Sequence, residues 1–240
     1  MARKILHLDL EAFFCYVEEL LDPSLVGKAF AVGGSPQGRG VIASCSYAAR
    51  LKGVRSAMPA GKAIQLCPEL LMIHHRHHLY SEYSDRVMSI LHDTTPVVEQ
   101  VSVDEAFIDV SDLPQPLRMI AVGLQKRVAD ETQLPCSLGG ATNKLVAKMA
   151  NDYGKKQVRT GRAPRAITII EPGGEQAFMA PLDIQALWGF GPKTADKLRE
   201  RGIFRIGQLY ELSEVELRSF FGNHALEILD RAKGIDTRPV

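Results

Sequence analysis

Cysteine is scarce in this sequence: four residues in 240, Cys15, Cys45, Cys67 and Cys136, with no Cys-x-x-Cys pair among them. That spacing speaks against a disulfide framework and against a cysteine-rich zinc site, so a reducing compartment, the cytoplasm, is expected. No run of about 18 apolar residues is present, which leaves no candidate for a spanning helix and no membrane among the expected partners. "KILHLDL" (4–10) reads directly as a strand, without a charged-then-apolar leader before it. Repeats and low-complexity tracts are missing too, and a monomer is expected. Net charge is nearly absent, at +1, so no overall basic field advertises a polyanionic partner. The distribution of charge says more. "KLVAKMANDYGKKQVRTGRAPR" (144–165) holds seven Lys/Arg against one Asp, and a local basic face is expected there.

What is present is periodicity. "KILHLDL" alternates and ends at Asp9. "AFFCYVEELL" (12–21) sets Phe13, Phe14, Val17 and Leu21 at helical spacing, and Asp22-Pro23 stops it. "AFAVGG" (29–34) and "GVIASC" (40–45) read as short strands around a turn-rich link. Ser46 is placed to cap a short helix, "YAARLK", that Gly53 ends. "AGKAIQLC" is a further short helix closed by Pro68. An amphipathic helix follows over 79–93, a strand–turn–strand over 97–110, a helix over 117–132, a strand over 135–141, a helix over 143–154 and a strand over 166–171. The order predicts an α+β fold: a mixed β-sheet with helices on one face, then a small all-helical segment, 172–235.

"QVSVDEAFIDV" (100–110) places two acids, Asp104 and Glu105, side by side at the hairpin turn of an otherwise apolar stretch. Like charges there need a positive neighbour. If the first strand lies beside this hairpin, Asp9, Asp104 and Glu105 converge at one sheet edge. Hard carboxylate oxygens suit Mg²⁺, which shares its coordination with substrate phosphates. Two such ions ~3.5–4 Å apart can clamp the attacking and leaving oxygens of a phosphoryl transfer. The plainer alternative is a pair of turn acids facing water, and spacing alone does not choose.

The choice is made by a resemblance. "HLDLEAFFCYVE" (7–18), "GVIASCSYAARLKGVRSAMP" (40–59), "SVDEAFIDV" (102–110), "GGATNKLVAKMAND" (139–152) and "LWGFGPKTADKL" (187–198) occur in the order found in Y-family, translesion DNA polymerases. They look closest to the DinB, or polymerase IV, branch, and the similarity runs over nearly the whole chain. It implies a palm (1–10 and 79–171), small α/β fingers (11–78) and a helical thumb (172–235), with 236–240 beginning a linker. It also implies that Asp9, Asp104 and Glu105, with the main-chain carbonyl of Leu10, hold two Mg²⁺ ions for which Mn²⁺ can substitute. A primer 3′-hydroxyl would then attack the α-phosphate of a deoxynucleotide. Glu11 departs from the family, which commonly has Asp there, at a position that is generally not a metal ligand.

Phe13, Phe14, Tyr47, Arg50 and Lys155 match nucleotide-binding positions of the family. Phe14 is the ring expected to exclude a ribose 2′-hydroxyl, with Phe13 packed into the core; on spacing alone both rings would be core. Tyr47 and Arg50, at i and i+3, share a helix face, and a guanidinium fork beside a phenol suits phosphate oxygens. Lys155 and Lys156 compete for the triphosphate contact, because the "GKKQVRTGRAPR" stretch is longer than the family's turn. "GFGPKTADKLRERG" (189–202) resembles a helix-hairpin-helix, whose backbone amides approach a DNA phosphate without reading sequence. Gly189, Gly191, Lys193 and Thr194 carry that expectation, and "FFGNHALEILDRAKG" is a weaker second hairpin. "HHRHH" (74–78) has no acid or cysteine near it and reads as a solvated connector. His7 reads as packed rather than catalytic. "GGATNK" lacks the ending of a phosphate-binding loop. The small residues "ASCS" (43–46) fit a roomy roof over the site.

Primer–template DNA and deoxynucleoside triphosphates are thus the expected partners, with a sliding clamp a further partner through regions that follow. Family members continue past a "GID"-like end into a basic little finger. This sequence stops at "GIDTRPV", either truncated, the reading favoured because "TRPV" resembles the start of a linker, or naturally short; in both cases weak, salt-sensitive DNA affinity and low processivity are expected. Two rival readings are a nucleotidyl or diguanylate cyclase on a palm-like sheet, and a non-catalytic DNA-binding descendant. The first would need no helix-hairpin-helix, and the second would be expected to have lost at least one of the three acids.

Overall fold

The computed structural model describes residues 2–158 and 161–240. Strand β1 (Ile5–Leu10) is the third strand of a five-stranded sheet, although it comes first in sequence. It runs straight into a turn at Ala12, a non-glycine residue with φ +44°. That left-handed conformation costs about 1 kcal/mol for a residue with a Cβ. The turn throws helix α1 (Phe13–Leu21) back across the sheet. Asp22 ends the helix by accepting from the Ser24 amide and starts a short 3₁₀ turn at Pro23.

Residues 29–73 form a separate three-stranded sheet. Strands β2 (Phe30–Gly33) and β3 (Ile42–Cys45) pair antiparallel. Ser46 caps α2 (Tyr47–Leu51) by accepting from the Ala49 amide, as its side chain predicts. After α3 (Ala60–Leu66), strand β4 (Leu71–Ile73) pairs parallel to β2. The hydrophobic pattern does not predict β4, because its residues are half exposed on an edge. A small core of Ala31, Ile42, Cys45, Ala49, Val54 and Ala63 holds this unit together.

Helix α4 spans His77–Thr94 and so begins within "HHRHH", two residues before the expected start at 79. The connector reading is corrected there: Arg76 precedes the helix and donates to the buried Glu18, which also accepts from the Tyr80 hydroxyl at 2.7 Å. Burial of the Glu18 carboxylate requires such partners. Strands β5 (Val98–Gln100) and β6 (Glu105–Asp109) form the expected hairpin. They are followed by α5 (Leu117–Thr132), β7 (Cys136–Ala141), α6 (Lys144–Gln157) and β8 (Ile167–Ile169). Strand order is β5-β6-β1-β7-β8, antiparallel except for β7 with β8.

The sheet is mixed and the fold α+β, as expected, and period-two alternation divides its faces. Leu6, Leu8, Leu10, Ala106 and Ile108 bury against α4 and α5. Ile5 and Phe107 point the other way and join Leu145, Val146 and Met149 of α6. Helices therefore cover both faces rather than the one expected, and α6 lies on the side toward which Asp9 and Glu105 project. Gly139 makes this possible. A Cβ there would sit 1.9 Å from the Ala147 carbonyl oxygen and 2.4 Å from the Asn151 amide, so only glycine lets α6 press onto β7.

The remaining chain holds α7 (Glu175–Met179), α8 (Pro192–Arg199), α9 (Glu214–Phe221) and α10 (Ala225–Ala232). Its apolar residues Ile184, Leu187, Leu198 and Ile206 extend the α6-side core. Residues 236–240 do not leave the surface. Asp236 accepts from the Leu145 amide in the first turn of α6, and Arg238 lies 5.1 Å from the Trp188 ring centre. No helix of the described residues is long and apolar enough to cross a membrane.

Candidate active site

The register of β1 against β6 sets Asp9 directly opposite Glu105, and the Leu10 amide donates to the Asp104 carbonyl at 2.9 Å. Asp9 and the adjacent pair Asp104 and Glu105, far from it in sequence, thus share one end of the sheet. Their positive neighbours come from α6. Lys155 Nζ donates to Asp9 Oδ1 at 2.5 Å, and Lys148 Nζ donates to Glu105 Oε1 at 2.6 Å. Lys144, Lys148, Asn151 and Lys155 fall at helical spacing along one stripe, and Lys144 pairs with Glu99 at 2.6 Å. This revises the expected basic face: three of its lysines turn inward to acids, while Lys156 and Arg162 are exposed. Arg159, counted in that stretch, lies outside the described residues.

His7 is fully buried and its Nε2 meets Glu105 Oε1 at 2.7 Å. The Asn151 side-chain nitrogen lies against two carbonyl oxygens, those of His7 and Ser137, and against His7 Nδ1 at 3.0 Å. Two carbonyl neighbours fix that Asn151 atom as the donor. His7 Nδ1 is then the acceptor, and the ring proton sits on Nε2, donated to Glu105. His7 is packed, as its sequence position suggested, but it also holds a site carboxylate.

Asp104 is treated differently. Its side-chain partner among the described residues is the Ser102 hydroxyl, at 2.5 Å. Burial, together with the nearby charges of Asp9 and Glu105, raises its carboxyl above the ordinary range. Burial would raise Glu105 as well, but His7 and Lys148 more than offset it and bring the carboxyl down to about 2. Burial works against the charged form of Lys155, yet Asp9 and Glu11 raise its pKa. Among the described residues no three His, Cys, Asp or Glu side chains are gathered into ligating geometry. The donor chemistry nevertheless fits a hard divalent cation: carboxylate oxygens from three residues, one of them, Asp104, carrying charge that no basic side chain of the described residues answers.

The cleft in front of the acids is lined by Asp9, Leu10, Phe14, Ser44, Arg50 and Lys155. Phe14 stacks on Tyr80 with ring centres 4.3 Å apart, and Phe13 packs behind it at 2% exposure. Arg50 donates to the Cys45 carbonyl and lies over the Tyr47 ring, 4.9 Å from its centre. Tyr47 lines a neighbouring hollow, and its hydroxyl donates to Glu11 Oε2 at 2.7 Å. Lys155 lies in the cleft while Lys156 is exposed, so the geometry favours Lys155 of the two. A second hollow, lined by Arg3, Asn143, Glu175 and Asp236, sits at the N-terminal end of α6, away from the acids.

About 20 residues beyond the end of β8 at Ile169 lies the turn before α8, which starts at Pro192. Gly189 has φ +94° and Gly191 precedes Pro192, the first helical residue. Gly189, Gly191 and Lys193 are exposed and Thr194 is half-buried, so the N-terminus of α8 faces outward. Gly222, with φ +58°, joins α9 to α10 in a second helical pair. Trp188, next to the first turn, touches Phe107 and lies 5.7 Å from Lys148 Nζ. It couples the helical segment to the back of Glu105.

The structure sets Asp9, Asp104, Glu105, Phe14, Arg50 and Lys155 at or around one cleft. Sequence reading passed over Lys148 as a ligand-holding residue and Asn151 and Ser137 altogether, and it noted Glu11 only as a departure from the family. The α6 stripe was the available signal, since its spacing sets Lys148 and Asn151 beside Lys155.

Comparison with known proteins gives consistent matches. The impB/mucB/samB family model matches residues 8–152, and the IMS family HHH motif matches 172–203. A DNA polymerase IV of Pseudomonas paraeruginosa is 40% identical over 99% of this chain and 67% of that protein. One from Halorhodospira halophila is 39% identical over 99% of the chain and 65% of its own length. The chain therefore spans about two thirds of such relatives. The crystal structure of DinB from Sulfolobus solfataricus superimposes with a TM-score of 0.89 at 29% identity, covering 99% of this chain and 69% of that one. An insertion ternary complex of Dbh DNA polymerase gives 0.88 at 29% identity, covering the same shares.

Proposed function

Because the chain belongs to the Y family of DNA polymerases, matched through its impB/mucB/samB and helix-hairpin-helix segments, and is a DNA-directed DNA polymerase of the translesion type, we propose which of its residues perform that synthesis. Residues 1–10 and 79–171 serve as palm, 11–78 as fingers and 172–235 as thumb. The observation that best supports the assignment is the strand register that sets Asp9 opposite Glu105 with Asp104 beside them, in a cleft faced by Arg50 and Lys155.

Polymerases of this family are metal-dependent. Asp9, Asp104, Glu105 and the Leu10 carbonyl would hold Mg²⁺, with Mn²⁺ able to replace it. The bound cations would lower the pKa of the primer hydroxyl and neutralise charge on the triphosphate. The remaining work falls to the chain's own groups. His7 and Lys148 fix the rotamer and charge of Glu105. Arg50 and Lys155, which both line the cleft, would supply positive charge to the triphosphate oxygens. Phe14, stacked on Tyr80, is the ring that would exclude a 2′-hydroxyl. Gly189, Gly191, Lys193 and Thr194 present an outward helix N-terminus to the phosphates of primer–template DNA. The matched relatives are polymerases rather than cyclases, and none of the three acids is lost.

The test is primer extension at low salt with Mg²⁺ and each deoxynucleotide. Template-directed addition that disappears in Asp104→Ala supports the acid assignment, and ribonucleotide use that rises in Phe14→Ala supports the gate. Extension by Asp104→Ala at the rate of the unaltered chain would sink the reading of the acids.

A further inference from the structure

The short stretch between β4 and α4 carries two histidines, His75 and His77, that the reaction above does not use. They flank Arg76, which is turned onto the buried Glu18 of α1. Glu18 stands four residues after Phe14, so the two share one face of α1. The segment that anchors on Glu18 is thereby brought against Phe14. The ring of His75 meets that of Phe14 with centres 6.1 Å apart and planes at 83°. His75 also stacks on His77 at 4.9 Å, with planes 4° apart. His77, the first residue of α4, lies 6.4 Å from Tyr80 at 77°, and Tyr80 stacks on Phe14 at 4.3 Å. Four rings from α1, the connecting segment and α4 close a circuit: Phe14, Tyr80, His77, His75. Edge-on contacts such as those of His75 with Phe14 and of His77 with Tyr80 are favoured by the ring quadrupoles. Tyr80 is fixed by its hydroxyl, which donates to Glu18 at 2.7 Å. His75 is held differently. Its Nδ1 is buried without a hydrogen-bond partner among the described residues, so packing on Phe14 and His77 sets that edge of the ring. Burial, with His77 and His74 beside it, pushes its pKa down, and the ring stacks uncharged at neutral pH.

We propose that His75 is a specificity-determining residue for the sugar of the incoming nucleotide: set edge-on to Phe14 and backed by His77, it fixes the tilt of the ring that excludes a 2′-hydroxyl. It is a positioning residue, acting through Phe14 alone, and the proposal rests on the reading of Phe14 as the gate. Stacking on Tyr80 leaves Phe14 free to slide in its own plane, and a second ring at 83° removes that freedom. Functional groups must be held to about 0.5 Å, and exclusion of a single hydroxyl is no exception.

The test compares deoxynucleotide with ribonucleotide incorporation, as the ratio of their kcat/KM values, in primer extension by the unaltered chain, His75→Ala, His75→Phe and Phe14→Ala. His75→Ala is expected to lower the discrimination about two- to tenfold, the worth of one aromatic pair. The change should come through the ribonucleotide KM, with the deoxynucleotide kcat unmoved. His75→Phe, which keeps a ring at the position, is expected to retain the discrimination, a rescue that a general loosening of the fold would not show. Undiminished discrimination in His75→Ala, beside its loss in Phe14→Ala, would overturn the proposal and leave the gate standing. Undiminished discrimination in both would overturn the gate reading and the proposal with it. Equal losses in His75→Ala and His75→Phe would also overturn the proposal, since a ring would then not be what matters. If His75→Ala does not fold, His77→Ala takes its place: a loss of about two- to threefold is expected as His75 loses its backing, and an unchanged ratio overturns the proposal.

Discussion

The cleft and the turn before α8 solve opposite problems. In the cleft, acids and lysines are drawn from strands and a helix far apart in sequence, are half-buried, and depend on one another: Glu105 on His7 and Lys148, Asp9 on Lys155, Glu11 on Tyr47 and Ser137. At the turn, the contributing groups are consecutive, exposed and unassisted, and what matters is a backbone shape that Gly189 permits. Chemistry requires charges held in fixed relation, and tethering of a uniform phosphate backbone does not. A substitution in the first region should therefore propagate, and one in the second should stay local.

The largest break in that comparison is Asp104→Asn. It removes a proposed ligand, and primer extension should fall by about three orders of magnitude, the scale of a lost electrostatic contact to the transition state. The same change removes the charge that burial and two neighbouring acids disfavour, so the melting temperature without metal should rise by a few degrees. Calorimetry beside the extension assay reads both. Loss of activity with a lower melting temperature would mean that Asp104 is structural.

Lys148→Met should act at middle range. Glu105 would keep His7 but lose its ammonium partner, at a cost of about 2 kcal/mol, with a loss of about 10- to 100-fold in metal-dependent activity. Acid stability reports the pair directly. The Glu105 carboxyl is held at about 2 against an ordinary 4.5, so the unfolded chain binds more protons on acidification. The stabilisation is complete above about 4.5 and is lost as the pH falls toward 2. In Lys148→Met the acid limb of the stability curve should move to higher pH. An unmoved limb would say that His7 alone holds Glu105.

The smallest effect belongs to the thumb. Lys193→Ala should weaken duplex binding a few-fold, lower the salt dependence by about one phosphate contact, and leave nucleotide affinity alone. A change in nucleotide KM there would erase the distinction between the two regions.

The α+β order was legible because each element carried its own local signal: alternation in β1, the Ser46 cap on α2, the apolar stripe of α5. Strand β4 was not, since a half-exposed edge strand needs no alternation. The coverage of both sheet faces was hidden as well, because it depends on Gly139 allowing a close approach that the sequence states only as one more glycine. In the site, the acids stood out as charges in apolar strands. The groups that hold them did not: Ser137 and Asn151 are ordinary residues until register and helix phase bring them beneath β1.

The central strand has a consequence in time. β1 pairs with β6 at Ile5 and Asp109 and with β7 at Ile5 and Ala141, so β1 has no neighbour in its sheet until about a hundred further residues have been synthesised. The intervening small sheet, with its own core and mostly local pairings, can fold meanwhile. Contacts of such long separation are slow to close. Assembly of this enzyme should be limited by the return of β6 and β7 to a waiting edge, and the carboxylate cleft, which needs both β1 and β6, should be among the last features to form.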